Sequence, residues 1–476
     1  MSLTQKIARN TIIQITGKAI STAISLAVAA MLFRYLGKEG YGNYTTVIVF
    51  LQFFGILVDM GLYIILTKKI SEAGADIDSL VGNIFTIRLI SAVLFLGLAP
   101  IIVLFFPYPH IIKVGVAFTS FSFLFITLNQ ILQGVFQKNL KMGWVTISEI
   151  LGRVVLFVGT YWAISAKKDL LAILWMVILG SLTNFIFTLL FSRKFVRIRL
   201  SFNFNVWKQV IFETYPIALA ILFNLIYFKT DTIILSLFKS QEDVGIYGAP
   251  YKILEVLATF PAMFAGLTIP VLTYAYTRND LERFKRVLRK AFDFMALISV
   301  PMIVGTYFIA KPVIDFIAGA EFAASAQVLQ IIIVATGIIF IGNLFGHTIV
   351  VINKQKQILW AYAAIAVVAV AGYLIFIPRY SYFGAAWMTV VSELLITIAS
   401  IYVVWKNTKV SPSLTLFFKA LLASGVMGVV LFFLTNQSLL IMIVVGIAVY
   451  FAILYLLKGV SKEMIKEIIA LKSKDA

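Results

Sequence analysis

The residues of this sequence that are best suited to bind or react with a ligand are charged side chains inside long apolar stretches. Six of them are cations: Lys18, Arg88, Arg153, Lys229, Lys252 and Lys419. A charge at the centre of a bilayer costs about 2.5–3.5 kcal/mol on insertion scales, so each cation should face water, pair with an acid or reach an interface. Cations held at low dielectric attract an anion more strongly than they would in water. The chemistry open to them is therefore the binding of an anionic group.

Lys18 belongs to a polar stripe in the first apolar stretch. Residues three and four apart share a helix face, and the polar residues with this spacing are Asn10, Gln14, Lys18, Ser21, Thr22 and Ser25. A polar face avoids lipid, so we predict that the stripe lines a cavity and that Lys18 faces water or an anionic partner. The alternative is that Lys18 snorkels to an interface or pairs structurally.

The other cations differ in their local surroundings. Glu149 lies four residues before Arg153, and Glu255 lies three residues after Lys252, so both cations are expected to pair with their helical neighbours. Arg88 has no acid within one turn but lies near the predicted cytoplasmic end of its span. It could snorkel to that interface or face the cavity.

Three acids lie in the apolar stretches as well: Asp59, Asp231 and Glu393. Each is a candidate for carrying a coupling proton or sodium ion, and the alternative is that each neutralises a cation on another helix. Lys229 precedes Asp231 by only two residues, a spacing at which helical side chains point apart. These two side chains are therefore not expected to pair.

The elements that must position these residues are transmembrane helices. The chain is 61% hydrophobic and 13% charged, with a mean hydropathy of +0.99, whereas soluble domains are about a quarter charged. A helix of about 20 apolar residues crosses the hydrocarbon core. We predict an all-α integral membrane protein of about fourteen spans, near residues 10–33, 44–67, 82–105, 112–135, 143–165, 170–191, 209–237, 246–275, 291–310, 326–351, 357–377, 383–405, 414–434 and 437–457.

Charge predicts the orientation of these spans. The chain has 40 Lys and Arg against 21 Asp and Glu, a formal net charge of +19. With a cytoplasmic N-terminus, most of the loop cations fall on the cytoplasmic side, as the positive-inside rule requires. The sequence therefore predicts that both termini are cytoplasmic, and the excess charge needs no nucleic-acid partner.

Enzymatic and metal-binding signals are weak. The chain has no cysteine and two histidines, and it lacks a Walker-type glycine loop and a His-Glu-x-x-His motif. Asp76-Ile-Asp78 matches the Asp-x-Asp of glycosyltransferases, but it lies in a short loop with no nucleotide-sugar domain around it. We expect no enzyme, no cofactor and no metal site.

Two short motifs suggest an internal repeat. Glu39-Gly-Tyr-Gly42-Asn-Tyr44 follows span 1, and Glu242-Asp-Val-Gly245-Ile-Tyr247 follows span 7. Gly61-Leu62 in span 2 has a counterpart in Gly266-Leu267 in span 8. Six spans separate the copies, so the two halves are expected to share one orientation, as in transporters with parallel repeats.

Two amphipathic stretches are predicted at the cytoplasmic face. Leu281, Phe284 and Leu288 share a face of segment 280–290, with cations on the other faces, and the tail 459–476 has a similar pattern. Both are expected to lie along the anionic inner leaflet. Docking of a partner enzyme is the alternative.

The N-terminal residues resemble a known family. Asn10-x3-Gln14-x2-Gly17-Lys18, the segment from Arg34 to Tyr44, and Asp59-Met-Gly61-Leu62 resemble the opening of polysaccharide-biosynthesis flippases. These belong to the multidrug, oligosaccharidyl-lipid and polysaccharide exporter superfamily. Asp231, Gly245-x-Tyr247 and Lys252 extend the resemblance into the second half.

The resemblance implies two six-helix lobes around a central cavity, at residues 1–200 and 201–407, with spans 13 and 14 at 408–458 and the tail at 459–476. It implies export of a polyprenyl pyrophosphate-linked oligosaccharide across the cytoplasmic membrane. Its head group would bind the cationic cavity formed by Lys18, Arg88, Arg153, Lys229 and Lys252. Membrane lipids, a coupling proton or sodium ion and polysaccharide assembly proteins are the other expected partners.

The sequence is also compatible with two other functions. One is a cation-coupled exporter of drugs or metabolites, which would need an acidic cavity for cationic substrates. The other is a membrane oligosaccharide polymerase or ligase, which would need a sizeable extracytoplasmic loop with catalytic side chains; no such loop is predicted.

Overall fold

The structure is a computed structural model that describes residues 3–72, 74–435 and 437–459. This part of the chain folds into α-helices and two short 3₁₀ turns, with no strand. The helices are α1 Leu3–Asp59, α2 Leu62–Lys69, α3 Ile77–Ile102, α4 His110–Lys138, α5 Met142–Ser165, α6 Leu170–Ser192, α7 Phe204–Phe238, α8 Gln241–Thr277, α9 Leu281–Ile317, α10 Ser325–Val351, α11 Gln355–Thr408, α12 Thr415–Phe433 and α13 Leu439–Leu456.

Two of these helices are too long for one crossing. A straight helix of the 57 residues of α1 would extend about 85 Å, nearly three times the hydrocarbon thickness. The backbone of α1 breaks at Gly37 (φ 64°, ψ −173°), and that of α11 breaks at Ser381 (φ 50°, ψ −135°). Both breaks lie between predicted spans, so each long helix is two helices joined at a kink.

A third break was not predicted. Met60 (φ 43°) and Gly61 (φ 81°) separate α1 from α2, inside the predicted span 44–67. Gly266, the proposed repeat partner of Gly61, has no positive φ and lies within the continuous helix α8. The second repeat pair therefore does not mark equivalent structures.

The chain divides into two compact units. Unit 1 comprises Met1–Gly248 and Val370–Ala385, and unit 2 comprises Ala249–Ala369 and Ala386–Ala476. Within unit 1, Val47, Leu51, Ala92, Val116 and Leu174 are buried in one apolar cluster. Within unit 2, α12 packs against α9 and α13. The predicted lobe boundary at residue 200 remains a prediction.

The segment between α6 and α7 is held against α3. The backbone N–H of Arg197 donates to Asp78 at 3.0 Å, that of Ser201 to Thr86 at 3.0 Å, and that of Asn203 to Asn83 at 2.8 Å. Asn83 is fully buried and also accepts from the indole N–H of Trp207. Side chains of α3 thus satisfy backbone donors that an extended segment would otherwise leave unpaired.

The apolar face of the amphipathic segment 280–290 packs mainly on protein, whereas it was predicted to face the leaflet. The segment begins α9, and Phe284 and Leu288 are buried in a cluster of unit 2 with Leu272, Leu344 and Val404. An apolar face that packs on protein has the same sequence pattern as one that lies on lipid. The predicted amphipathic tail lies outside the described residues.

Candidate functional site

Lys18 is brought to Glu149 by close packing of α1 against α5. A Cβ added to Gly17 would lie 1.9 Å from Thr146 Cγ2, so no larger residue fits there without movement. At the next position Lys18 Nζ lies 3.6 Å from Glu149 Oε1. The predicted pairing of Glu149 with Arg153 is therefore wrong, and Arg153 makes no ion pair within the described residues.

The polar stripe of α1 divides into packed and exposed members. Asn10 is buried, and its Oδ1 accepts the Met142 backbone N–H at the start of α5 at 2.9 Å. Ser21 is also buried. Gln14 and Thr22 are half-buried, and 47% of the Lys18 side chain is exposed. Lys18 thus keeps ammonium N–H groups that can bind an anion while Glu149 holds its position.

The hydrogen bond from the Met142 N–H to Asn10 leads to a prediction about stability. Asn10→Ala should lower the free energy of unfolding by about 1 kcal/mol, because the partly buried backbone N–H of Met142 loses its acceptor. Gln14→Ala, on the half-buried part of the same stripe, is the control and should change stability by about 0.5 kcal/mol or less. Unfolding in detergent measures both, and equal losses would contradict this role of Asn10.

Arg88 lies at the centre of a buried cluster in unit 1. Its guanidinium donates to Asp59 at 2.5 Å, to the carbonyls of Val58 and Thr127 at 3.1 Å each, and to Gln130. The side chain is 0% exposed, so Arg88 does not snorkel, and Asp59 neutralises a cation of another helix. Arg88 therefore stabilises the C-terminal end of α1, just before the helix ends at Met60 with its positive φ.

A second ion-pair cluster was missed by the sequence analysis. Lys69 Nζ lies 2.8 Å from Glu213 Oε1 and its side chain is 9% exposed, while Lys68 Nζ lies 4.0 Å from Glu213 Oε2. Both lysines follow the predicted span 44–67, so the sequence places them among the loop cations that predict orientation. Glu213 is more than 140 residues away in sequence, so local spacing contains no signal of this contact.

Asp231 belongs to a buried network of α7 and α8. The hydroxyl of Tyr247 donates to Asp231 Oδ2 at 2.6 Å, and the backbone N–H of Thr232 donates to Oδ1 at 2.6 Å. Asp231 and Tyr247 are both 0% exposed. Lys229 is buried too, and the expectation that its side chain points away from Asp231 stays a prediction.

Unit 2 contains two further predicted residues. Lys252 Nζ lies 3.1 Å from Glu255 Oε2, which confirms the pairing predicted from their spacing. Glu393 is 6% exposed and makes no ion pair within the described residues. No group of three His, Asp or Glu in the described part of the chain has the geometry of a metal site.

The Asp-x-Asp motif has structural roles. Asp76 caps α3 by accepting the Ser79 N–H at 3.1 Å, and Asp78 accepts the Arg197 N–H. Both carboxylates are thus used to hold the backbone.

Comparison with known proteins identifies the family. Residues 7–275, more than half of the chain, match the family model described as polysaccharide biosynthesis protein. The chain belongs to this family. Residues 216–375 also match the MatE family model. The predicted resemblance is thus confirmed for this member of the polysaccharide biosynthesis family.

Curated relatives of this family member include bacterial and archaeal proteins. It is 23% identical over 288 residues to the capsular polysaccharide biosynthesis protein CapF of Staphylococcus aureus, covering 59% of this chain and 71% of CapF. It is 24% identical over 320 residues to a putative O-antigen transporter of Shigella flexneri, covering 63% and 73%. The probable flippase AglR of Haloferax volcanii is 20% identical over 251 residues, covering 50% and 52%.

Solved structures show the fold of this family member. The lipid II flippase MurJ in an inward closed conformation matches with a TM-score of 0.75 at 16% identity, over 94% of this chain and 98% of MurJ. An inward-facing multidrug resistance MATE transporter matches with a TM-score of 0.70 at 14% identity, over 84% and 98%. The described residues contain eleven helices long and apolar enough to span a bilayer, or twelve with the bent α7, and the protein is a multi-pass cell-membrane protein.

Proposed function

We propose that this protein is a flippase that moves a lipid-linked oligosaccharide across the cytoplasmic membrane for cell-surface polysaccharide synthesis. The observation that carries the proposal is Lys18, a half-exposed cation within an apolar helix, oriented by Glu149. The relatives named as an O-antigen transporter and a flippase support a transport role rather than an enzymatic one.

The chemistry of the carrier suits this arrangement. A pyrophosphate cannot cross hydrocarbon without compensating cations, and two unit charges 4 Å apart attract by about 4 kcal/mol at an effective dielectric constant of 20. Lys18 would bind the phosphate, with the polyprenyl tail in lipid. Arg153, which makes no ion pair among the described residues, is the second candidate contact. Arg88 is not favoured because, unlike Lys18, it is 0% exposed and its guanidinium already donates to Asp59, Gln130 and two backbone carbonyls.

The same proposal includes fourteen spans with both termini cytoplasmic. Within the described residues, this number is supported by counting α7 as one bent span and α1 and α11 as two spans each. Transport would proceed by alternating access of the two lobes. Of the three candidate coupling acids, Glu393 is favoured because Asp59 is ion-paired and Asp231 accepts from Tyr247.

Lys18→Ala should slow translocation by about tenfold or more, which corresponds to losing about 1.4 kcal/mol of interaction with the phosphate. The assay reconstitutes the protein in liposomes with a fluorescent lipid-pyrophosphate oligosaccharide and measures its appearance in the opposite leaflet. Lys311→Ala is the matched control, because Lys311 is an exposed lysine ion-paired to Asp315 at 2.7 Å. Equal rates in the two variants would remove Lys18 from the site.

A cation-coupled multidrug exporter is the second candidate, favoured by the MatE family match over residues 216–375. Such a protein would move cationic drugs rather than an anionic lipid. Drug transport in the same liposomes, with no movement of the oligosaccharide, would select this candidate.

A further inference from the structure

The two repeated motifs contact each other within unit 1. A Cβ added to Gly42 would lie 1.7 Å from the carbonyl oxygen of Gln241, and one added to Gly245 would lie 1.9 Å from that of Lys38. Each glycine therefore faces the carbonyl four residues before the other glycine. One offset of 203 residues relates Gly42 to Gly245 and Lys38 to Gln241. The contact is reciprocal, as a pseudo-two-fold interface between repeats must be.

Polar side chains close this contact on both sides. Lys38 Nζ donates to Glu242 Oε1 at 2.5 Å, and both side chains remain partly exposed at the rim. Thr46 Oγ1 donates to Gln241 Oε1 at 2.7 Å, and Thr46 is 0% exposed. Gly248 continues the close approach, since its added Cβ would lie 3.0 Å from the ring of Tyr41. The ion pair is thus accessible, while Thr46 beneath it is sealed.

The contact between Gly42 of α1 and Gly245 of α8 is weak enough to open and close repeatedly. At its centre, backbone packs on backbone through the two glycines rather than through interdigitated apolar side chains, and a partly exposed ion pair contributes only about 0–1 kcal/mol. Both motifs also start at backbone breaks. Gly37 has φ 64° just before Lys38, and α7 ends at Phe238 just before α8 begins at Gln241. Such element ends are where hinges absorb backbone rotation.

We propose that the Gly42–Gly245 contact, with the Lys38–Glu242 pair, is the extracytoplasmic seal of the transport cycle. It is closed in this structure and opens to release the glycan outside. This inference rests on the proposed flippase function and on the cytoplasmic N-terminus, which together place the motifs at the outer face.

Cross-linking across the rim tests the seal directly, because the native chain has no cysteine. Lys38→Cys/Glu242→Cys joined by a short bis-methanethiosulfonate linker should slow translocation by about tenfold or more, because a seal that cannot open stops the cycle, and reduction should restore the rate. Lys311→Cys/Asp315→Cys, at an exposed ion pair of similar length within α9, is the matched control and should translocate normally when linked.

A second readout separates this inference from the proposed function. The triple variant Lys38→Cys/Glu242→Cys/Thr46→Cys, linked or unlinked, is exposed to a membrane-impermeant maleimide outside intact cells. Because the two unlinked rim cysteines react as well, only label located at position 46 by mass spectrometry of its peptides is counted. Labelling that occurs without the linker and is blocked by it supports the seal, even if no lipid-linked oligosaccharide moves in any variant and the flippase proposal fails. Absent labelling, labelling that is equal in both states, or translocation that continues when linked would overturn the seal.

Discussion

Arg88→Ala is expected to lower the free energy of unfolding by about 3 kcal/mol, the lower end of the range for removing one partner of a buried ion pair. The lower end applies because the Asp59 side chain is 24% exposed and water can partly compensate its charge. The substitution also removes donors from the carbonyls of Val58 and Thr127. Unfolding by detergent titration measures the loss.

Two further variants show what causes that loss. Arg153→Ala removes an arginine that makes no described ion pair, and should change stability by about 0.5 kcal/mol or less. Arg88→Ala/Asp59→Asn should recover part of the loss, because it also removes the uncompensated charge. A double variant as unstable as Arg88→Ala would show that the carbonyl contacts, and not the ion pair, hold this cluster.

Gly42→Ala is expected to have a large effect on transport. The new Cβ would lie 1.7 Å from a backbone carbonyl oxygen, so no side-chain rotation relieves the clash, and α1 and α8 must separate. We expect the liposome translocation rate to fall by about tenfold or more, because the cycle loses its closed outer state.

Gly266→Ala is the matched control for Gly42→Ala. Gly266 lies in α8 with no atom within 4 Å of an added Cβ, so alanine should leave translocation unchanged and add up to about 1 kcal/mol of helix stability. Equal translocation by the two variants would mean that the close approach at Gly42 is not needed for transport.

The sequence predicts those features that depend on local chemistry. Apolar length alone places the predicted spans on helices, and the kinks at Gly37 and Ser381 fall in gaps between them. The Lys252–Glu255 pair follows from three-residue spacing on one helix. The repeated glycine motif was visible as well, although its role as a contact was not.

Features that depend on packing between helices could not be predicted. Glu149 pairs with Lys18 rather than Arg153 because Gly17 lets α1 approach α5, and nothing in the local sequence of α5 encodes that approach. The break at Met60 lies in an apolar run, and hydropathy does not report a change of φ.

The discontinuity of unit 1 has a consequence for biosynthesis. The piece Val370–Ala385 belongs to this unit but follows Gly248 by more than a hundred residues. The ribosome therefore synthesises most of unit 2 before unit 1 is complete. Until then, the early helices of unit 1 remain in the membrane with part of their packing surface exposed. A truncated protein ending near Gly248 would leave that surface accessible to chaperones and membrane proteases.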